Sequence, residues 1–258
     1  MYHAFFQKCK DSSCLSFADL QHQENQKILF PEAIVFSTII IQHILLKHLS
    51  LSFLYVKIET VIMMNWKWTR QPDSFSIQEN EIRIKTQPYT DLWQRTYYHF
   101  RNDNAPVLQI ETDEKYFTFQ VKTEFDTKHR FDQCGVVMYL DSENWLKASI
   151  EYENEQFQHL GSVVTNHGYS DWATTEINAS IQSMWYRLSR REDDFCIECS
   201  EDGFHFKQMR ICHVHQAQSA IQFGIYACSP EDSSFEAIFT HMELMECQWK
   251  AHDGQQPD

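Results

Sequence analysis

A chain of 258 residues with 43% hydrophobic and 14% aromatic content has enough apolar material for a full core, and an all-β domain of this length is commonly a single unit. Its formal net charge of −14 argues against nucleic-acid binding, which relies on clustered Lys and Arg that displace condensed counterions. Anionic membranes are disfavoured on the same ground, leaving neutral sugars, cationic groups or a basic protein surface as partners, or solubility alone as the meaning of the acidity.

Residues 1–63 differ from everything after them. They contain no Gly, Trp or Arg, and their five acidic side chains balance five basic ones, so the whole net charge falls on residues 64–258. Residues 28–63 are rich in Ile and Leu but are interrupted by Gln42, His43, Lys47 and His48. No apolar run reaches the ~18 residues of a membrane span, and the basic start and small-residue cleavage site of a signal peptide are missing. Three readings stay open: an amphipathic or buried helix, a membrane anchor, or an upstream extension with the true start at Met64. The pair Met63-Met64 at the change in composition motivates the third.

From Asn65 onward, short alternating or β-branched runs are separated by turn-forming residues, with no long 3.6-period helix. Candidate strands run over 82–86, 96–100, 116–125, 135–140, 146–152, 162–166, 185–189, 195–200, 204–210, 221–228 and 235–244. So many strands at near-regular spacing predict a sandwich or barrel over residues 64–250. The stretch from Trp145 to Trp172 reads as two strands followed by a polar and aromatic loop. In the first strand Leu146, Ala148, Ile150 and Tyr152 share one side and Trp145, Lys147, Ser149 and Glu151 the other. Asp202-Gly203 predicts a tight hairpin turn between two strand-like runs. The tail 251–258 is polar and reads as frayed.

The 8 Cys are scattered rather than densely spaced, which predicts mostly reduced thiols and a cytoplasmic protein. In a strand, Cys196 and Cys199 point to opposite faces, so they do not chelate one ion without a bulge. His213 and His215 share a face, but two ligands are not a site. Neither a metal nor, with only 6 Gly and no phosphate-cradling loop, a nucleotide cofactor is expected. A Gly-x-Ser-x-Gly elbow is absent as well.

Several short motifs occur together: Asp91-Leu92-Trp93 with Thr96 and Tyr98, Asp132-Gln133-Cys134-Gly135, Trp145-Leu146-Lys147 with Glu151, Ser162-Val163-Val164-Thr165, and Gly168-Tyr169-Ser170-Asp171-Trp172. This combination resembles a bacterial and fungal family of unknown function that includes the fungal protein named for regulation of enolase. Arg187, Arg190, the Ser200/Asp202-Gly203 turn and Ser229-Pro230 extend the resemblance, which covers roughly residues 66–244 and none of 1–63. It implies an all-β, concanavalin A-like jelly-roll β-sandwich of two antiparallel sheets, one of them offering a concave face. Such an architecture hosts lectins, glycosidases and structural modules alike, so fold alone does not assign function.

Sugar binding needs aromatic rings to stack on a pyranose and planar polar groups to bond its hydroxyls. Trp93, Tyr98, Tyr139, Trp145, Trp172 and Trp185 supply rings; Asp91, Gln133, Lys147, Glu151, Asp171, Arg187 and Arg190 supply polar groups. Each aromatic taken singly also reads as core, and Lys147–Glu151 also reads as a same-face ion pair. Glycoside hydrolysis needs two carboxylates roughly 5–10 Å apart. The superfamily's glucanases carry Glu, Asp and Glu at alternate strand positions where this chain has Lys147, Ser149 and Glu151. Without that pattern, only Glu151 with Asp132 or Asp171 stands as a candidate pair. The leading expectation is therefore a non-catalytic module in which Trp93, Trp145 and Trp172 stack while Gln133, Lys147, Glu151 and Asp171 orient a carbohydrate or similar polar molecule. The alternatives are a protein-binding regulator of a metabolic enzyme and, more weakly, a glycosidase.

Overall fold

The computed structural model describes residues 64–97 and 99–250. The readings of the N-terminal segment, the tail 251–258 and Tyr98 lie outside the described residues. Sixteen strands run through the rest: β1 (Lys67–Arg70), β2 (Ser74–Gln78), β3 (Glu81–Lys85), β4 (Leu92–Gln94), β5 (Arg101–Asp103), β6 (Val107–Thr112), β7 (Tyr116–Phe125), β8 (Gln133–Asp141), β9 (Asn144–Tyr152), β10 (Phe157–Asn166), β11 (Tyr169–Asn178), β12 (Ser183–Arg191), β13 (Asp194–Ser200), β14 (Lys207–His213), β15 (Ile221–Cys228) and β16 (Glu236–Met245). No helix occurs among the described residues, so none there is long and apolar enough to cross a membrane.

Two seven-stranded sheets result, in the order β1-β6-β15-β8-β9-β10-β11 and β14-β13-β12-β7-β16-β3-β2, with β4 and β5 forming a separate hairpin. Pairing within both large sheets is antiparallel throughout. Alternation decides which residues enter the core between them. On β3, Ile82 and Ile84 are fully buried while Arg83 points outward and bonds Glu81 and Glu236. Phe117, Phe119, Val136, Met138, Leu146, Ile150, Leu188, Phe223 and Phe239 join the same core from both sheets. Strands β8 and β15, by contrast, are buried almost continuously, because a second cluster of Leu92, Ala105, Val107, Val137, Tyr139, Trp145, Val163, Tyr226 and Cys228 lies on the other face of the first sheet.

That outer cluster is roofed by the β4–β5 hairpin, which is tied down at several points. Gln94 N donates to Ser170 Oγ at 2.9 Å, and the Arg95 guanidinium bonds both Glu143 carboxylate oxygens (2.7 and 2.9 Å) and Gly168 O (2.8 Å). The last contact lands on the β10–β11 turn, where His167 (φ 50°) and Gly168 (φ 74°) both take positive φ, as a two-residue primed hairpin requires. A Cβ on Gly168 would also stand 1.7 Å from Arg95 Nη1 and 2.0 Å from Glu143 Oε2, so glycine is needed for the tether itself.

Three local expectations change. Of the candidate strand 96–100, the described residues Thr96, Tyr97, His99 and Phe100 lie between β4 and β5 rather than in a strand, with positive φ at Arg95, Tyr97 and His99 that breaks the extended backbone. The polar and aromatic run after β10 is strand β11, paired with β10 along its length from Tyr169 to Asn178. Residues 201–206 form a longer loop than Asp202-Gly203 implies, closed by Asp202 Oδ1, which accepts from Phe204 N and His205 N, both at 2.8 Å.

Candidate functional site

The pleat of β9 sends Leu146, Ala148 and Ile150 into the core and Trp145, Lys147, Ser149 and Glu151 to the outer face of the first sheet. Register then assembles the neighbours. Gln133 and His159 flank Glu151, Gly135 and Gly161 flank Ser149, Val137 and Val163 flank Lys147, and Tyr226 comes beside Gly135. Trp172 on β11 lies directly across from Val163.

Lys147 is only 3% exposed. A buried ammonium is costly unless its hydrogens find acceptors. Its Nζ donates to Gln133 Oε1 at 2.9 Å and lies 3.4 Å from Asp91 Oδ1, with the Tyr226 and Trp145 rings 5.5 and 5.8 Å away. Asp91 is positioned by the hairpin: its backbone N–H donates to Asn104 Oδ1, and its carbonyl accepts from Asn104 N and Ala105 N. The Gln133 amide is used at both ends. Oε1 accepts from Lys147 and from Tyr226 Oη (2.9 Å), while Nε2 donates to Phe131 O (3.1 Å) and Glu151 Oε2 (3.0 Å). Tyr226 Oη also sits 2.7 Å from Ser149 Oγ, whose hydroxyl proton is free to point at it.

Burial pushes the Glu151 carboxyl up to about 7; the nearby Lys147 charge opposes that rise, and Asp91 and Glu153 add to it. At neutral pH the group therefore stands between its two protonation states. Gln133, Lys147, Ser149, Glu151, Gly161, Ser162, Val163 and Trp172 enclose a cavity of about 10 Å³, the room of one water. Of the indoles, Trp172 lines it and Trp93 packs against Trp172. Trp172 is 42% exposed and meets Trp93 edge to face, with centroids 6.5 Å apart. Trp93 is locked by a bond from Nε1 to Thr96 O at 2.9 Å. Gly161 allows Trp172 to lie over β10, since a Cβ there would be 2.9 Å from the indole Nε1. His159 packs edge-on against Trp172, its Nδ1 without a hydrogen-bond partner. Glu153 stands 3.9 Å from the other ring nitrogen and is paired with Arg130.

Asp91, Trp93, Gln133, Lys147, Glu151 and Trp172 are thus brought together. Trp145 and Tyr139 share the face but lie under the hairpin roof. Trp145 is completely buried and offers no ring face to a ligand, and the Tyr139 hydroxyl is engaged by Asp103 and Arg70. Asp171 has the opposite parity to Trp172 and pairs with Arg210 on β14 at 2.9 Å. Arg187 belongs to the second sheet, where its Nε donates to Gln120 Oε1 and its guanidinium lies 3.6 Å over the Phe206 ring. The Asp132 carboxylate accepts from Ser233 at 2.6 Å. Arg190 is a fully buried tie, donating to the carbonyls of Glu114, Glu192, Ala217 and Ser219. Sequence reasoning missed Tyr226 and His159 as members of the cluster. Each sits in an ordinary strand pattern, and only the register with β8 and β9 reveals its place.

Two antiparallel seven-stranded sheets packed on one core, with a buried polar cluster on an outer face, define a concanavalin A-like jelly-roll sandwich. Solved structures share the architecture. A functionally unknown protein from Saccharomyces cerevisiae superposes with a TM-score of 0.65 at 28% identity, over 70% of this chain and 96% of that one. The GH43 BlXynB protein from Bacillus licheniformis gives a TM-score of 0.56 over 70% of this chain, which spans 37% of that protein, and at 18% identity the likeness is one of fold. A family model described as "protein of unknown function (DUF1349)" matches residues 68–247, and the chain belongs to that family. Over 177 residues it is 29% identical to "Regulation of enolase protein 1" of Saccharomyces cerevisiae, covering 69% of this chain and 87% of that protein.

Proposed function

We propose that this protein is a non-catalytic binding module whose outer sheet face takes a carbohydrate or similar polar small molecule at the rim formed by Trp93 and Trp172. The observation that carries this reading is the buried Lys147–Gln133–Asp91–Glu151 network opening beneath a half-exposed tryptophan. A wholly apolar face would cover the sheet at lower desolvation cost, so a charged cluster facing an aromatic rim is what a ligand site retains. Because the enclosed space has room for only one water, a pyranose would stack over Trp172 and reach the cluster through its hydroxyls rather than enter it. The Lys147, Ser149 and Glu151 order on β9, in place of the alternating Glu, Asp and Glu of the glucanases, supports binding over hydrolysis.

The test is a thermal-shift screen of the full chain against mono- and oligosaccharides, since a ligand that binds the folded state raises the melting temperature. The expected result is a reproducible hit lost in Trp172→Ala. No hit across the panel, or a hit indifferent to Trp172→Ala, overturns the reading. A second reading, a protein-binding regulator of a metabolic enzyme, is favoured by the name of the yeast relative and by a cavity too small to engulf a ligand. Capture of purified enolase by this chain, measured at low and high salt, tests it. The six cysteines among the described residues are all unpaired, which supports a cytoplasmic setting.

A further inference from the structure

The β12–β13 turn and the end of β14 bring together the side chains that the Cys212-His213-Val214-His215 run left incomplete. Asp194 and His213 are direct cross-strand partners, and Asp193 precedes them in the turn. One donor atom each from Asp193, Asp194 and His213 lies within 4.8 Å of the others. His213 Nδ1 is 2.8 Å from Asp194 Oδ1. An ionised carboxylate only accepts, so Nδ1 carries the proton of the neutral ring and Nε2 presents its lone pair, the arrangement in which a carboxylate orients a metal-binding imidazole.

That same Nε2 stands 3.9 Å from Asp193 Oδ2. Tetrahedral zinc with bonds of about 2.1 Å separates two such donors by about 3.4 Å, so a closure of about half an ångström between partly exposed side chains makes a chelating pair. A third donor comes from side-chain rotation: the His215 ring lies 4.7 Å from that of His213 and stacks with His167 at 5.2 Å, so its imidazole reaches the pair by turning out of that stack. The backbone carrying these groups is already ordered. Asn166 Nδ2 donates to His213 O at 2.9 Å, Asn166 Oδ1 accepts from His215 N at 3.2 Å, and the fully buried Val214 donates its N–H to Asp193 O at 3.1 Å. The ordering left for an ion to impose is in the side chains, not the backbone.

We propose that His213, Asp193 and His215 bind a borderline first-row dication such as Zn²⁺ or Co²⁺, with Asp194 holding the His213 ring. The set is nitrogen and oxygen only, which suits these ions over Ca²⁺ or Mg²⁺. The experiment is a titration of untagged full chain with Co²⁺, read by visible absorption, and with Zn²⁺, read by calorimetry. The chain holds 13 His and 8 Cys, so the variants decide which residues are involved. The expected result is a saturable site weakened at least tenfold in His213→Ala and in Asp193→Asn, with the melting temperature without metal unchanged. Should His213→Ala shift that temperature, His213→Gln, which keeps a donor for Asp194, is read in its place. Absence of saturable binding, or binding of equal strength in the variants, overturns the proposal and leaves the cluster as an ion pair.

Discussion

Glu151→Gln isolates the least ordinary titration in the protein. The carboxyl sits between Gln133 Nε2 and the buried Lys147, and burial raises it from 4.5 to about 7. A carboxyl with a folded value above its unfolded one binds its proton more tightly in the native state. It therefore stabilises the fold below the unfolded value, and that stabilisation is lost as pH rises through about 7. A rise of about 2.5 units at about 1.36 kcal/mol per unit corresponds to about 3 kcal/mol between pH 4 and pH 8. Glutamine mimics the protonated acid in shape and still accepts from Gln133, but it does not titrate. The difference in unfolding free energy between wild type and Glu151→Gln should therefore move by about 3 kcal/mol in favour of the variant from pH 4 to pH 8, most of it between pH 4.5 and pH 7. Urea denaturation of both proteins at half-unit intervals reads this directly, because groups that do not interact with Glu151 cancel in the difference. A difference flat across that window would refute the placement of Glu151 in a buried, cation-adjacent setting.

Trp145→Ala should cost about 3–5 kcal/mol in urea unfolding, since a fully buried indole leaves a cavity under the β4–β5 roof; a loss below about 1 kcal/mol would place the ring outside the core. Arg190→Met should lower the melting temperature by more than a typical surface change, because it strands four carbonyl acceptors that the guanidinium serves, and an unshifted melting curve would contradict that role. Gly161→Ala places a methyl group 2.9 Å from Trp172 Nε1 and should displace that indole, changing tryptophan fluorescence and weakening any ligand that stacks there while the fold persists; an unchanged spectrum would mean that the ring does not lie over β10.

The sheets were largely legible because alternation and β-branched runs are local. Ile82 and Ile84, or Leu146, Ala148 and Ile150, carry their facing in the order of residues, and pleat geometry does the rest. Strand β11 was hidden because Tyr169–Asn178 is a polar edge strand with most positions exposed, so it carries no apolar alternation to detect. The β4–β5 turn is hidden because the stretch 96–100 has the composition of a strand, while Arg95, Tyr97 and His99 take positive φ and the Arg95 side chain is tied to Glu143 and Gly168.

What the sequence determined by itself is the sandwich, its acidic character and the parity that sets Lys147 and Glu151 on one face with Trp145. What only the tertiary structure decided is which members of that face meet. A 56-residue separation between Asp91 and Lys147 closes to 3.4 Å because the hairpin folds back over β9, and the same roof turns Trp145 from a ligand ring into core. Parity is fixed by chain geometry one residue at a time, whereas contact depends on which strands lie side by side and what covers them, and that is settled by long-range burial.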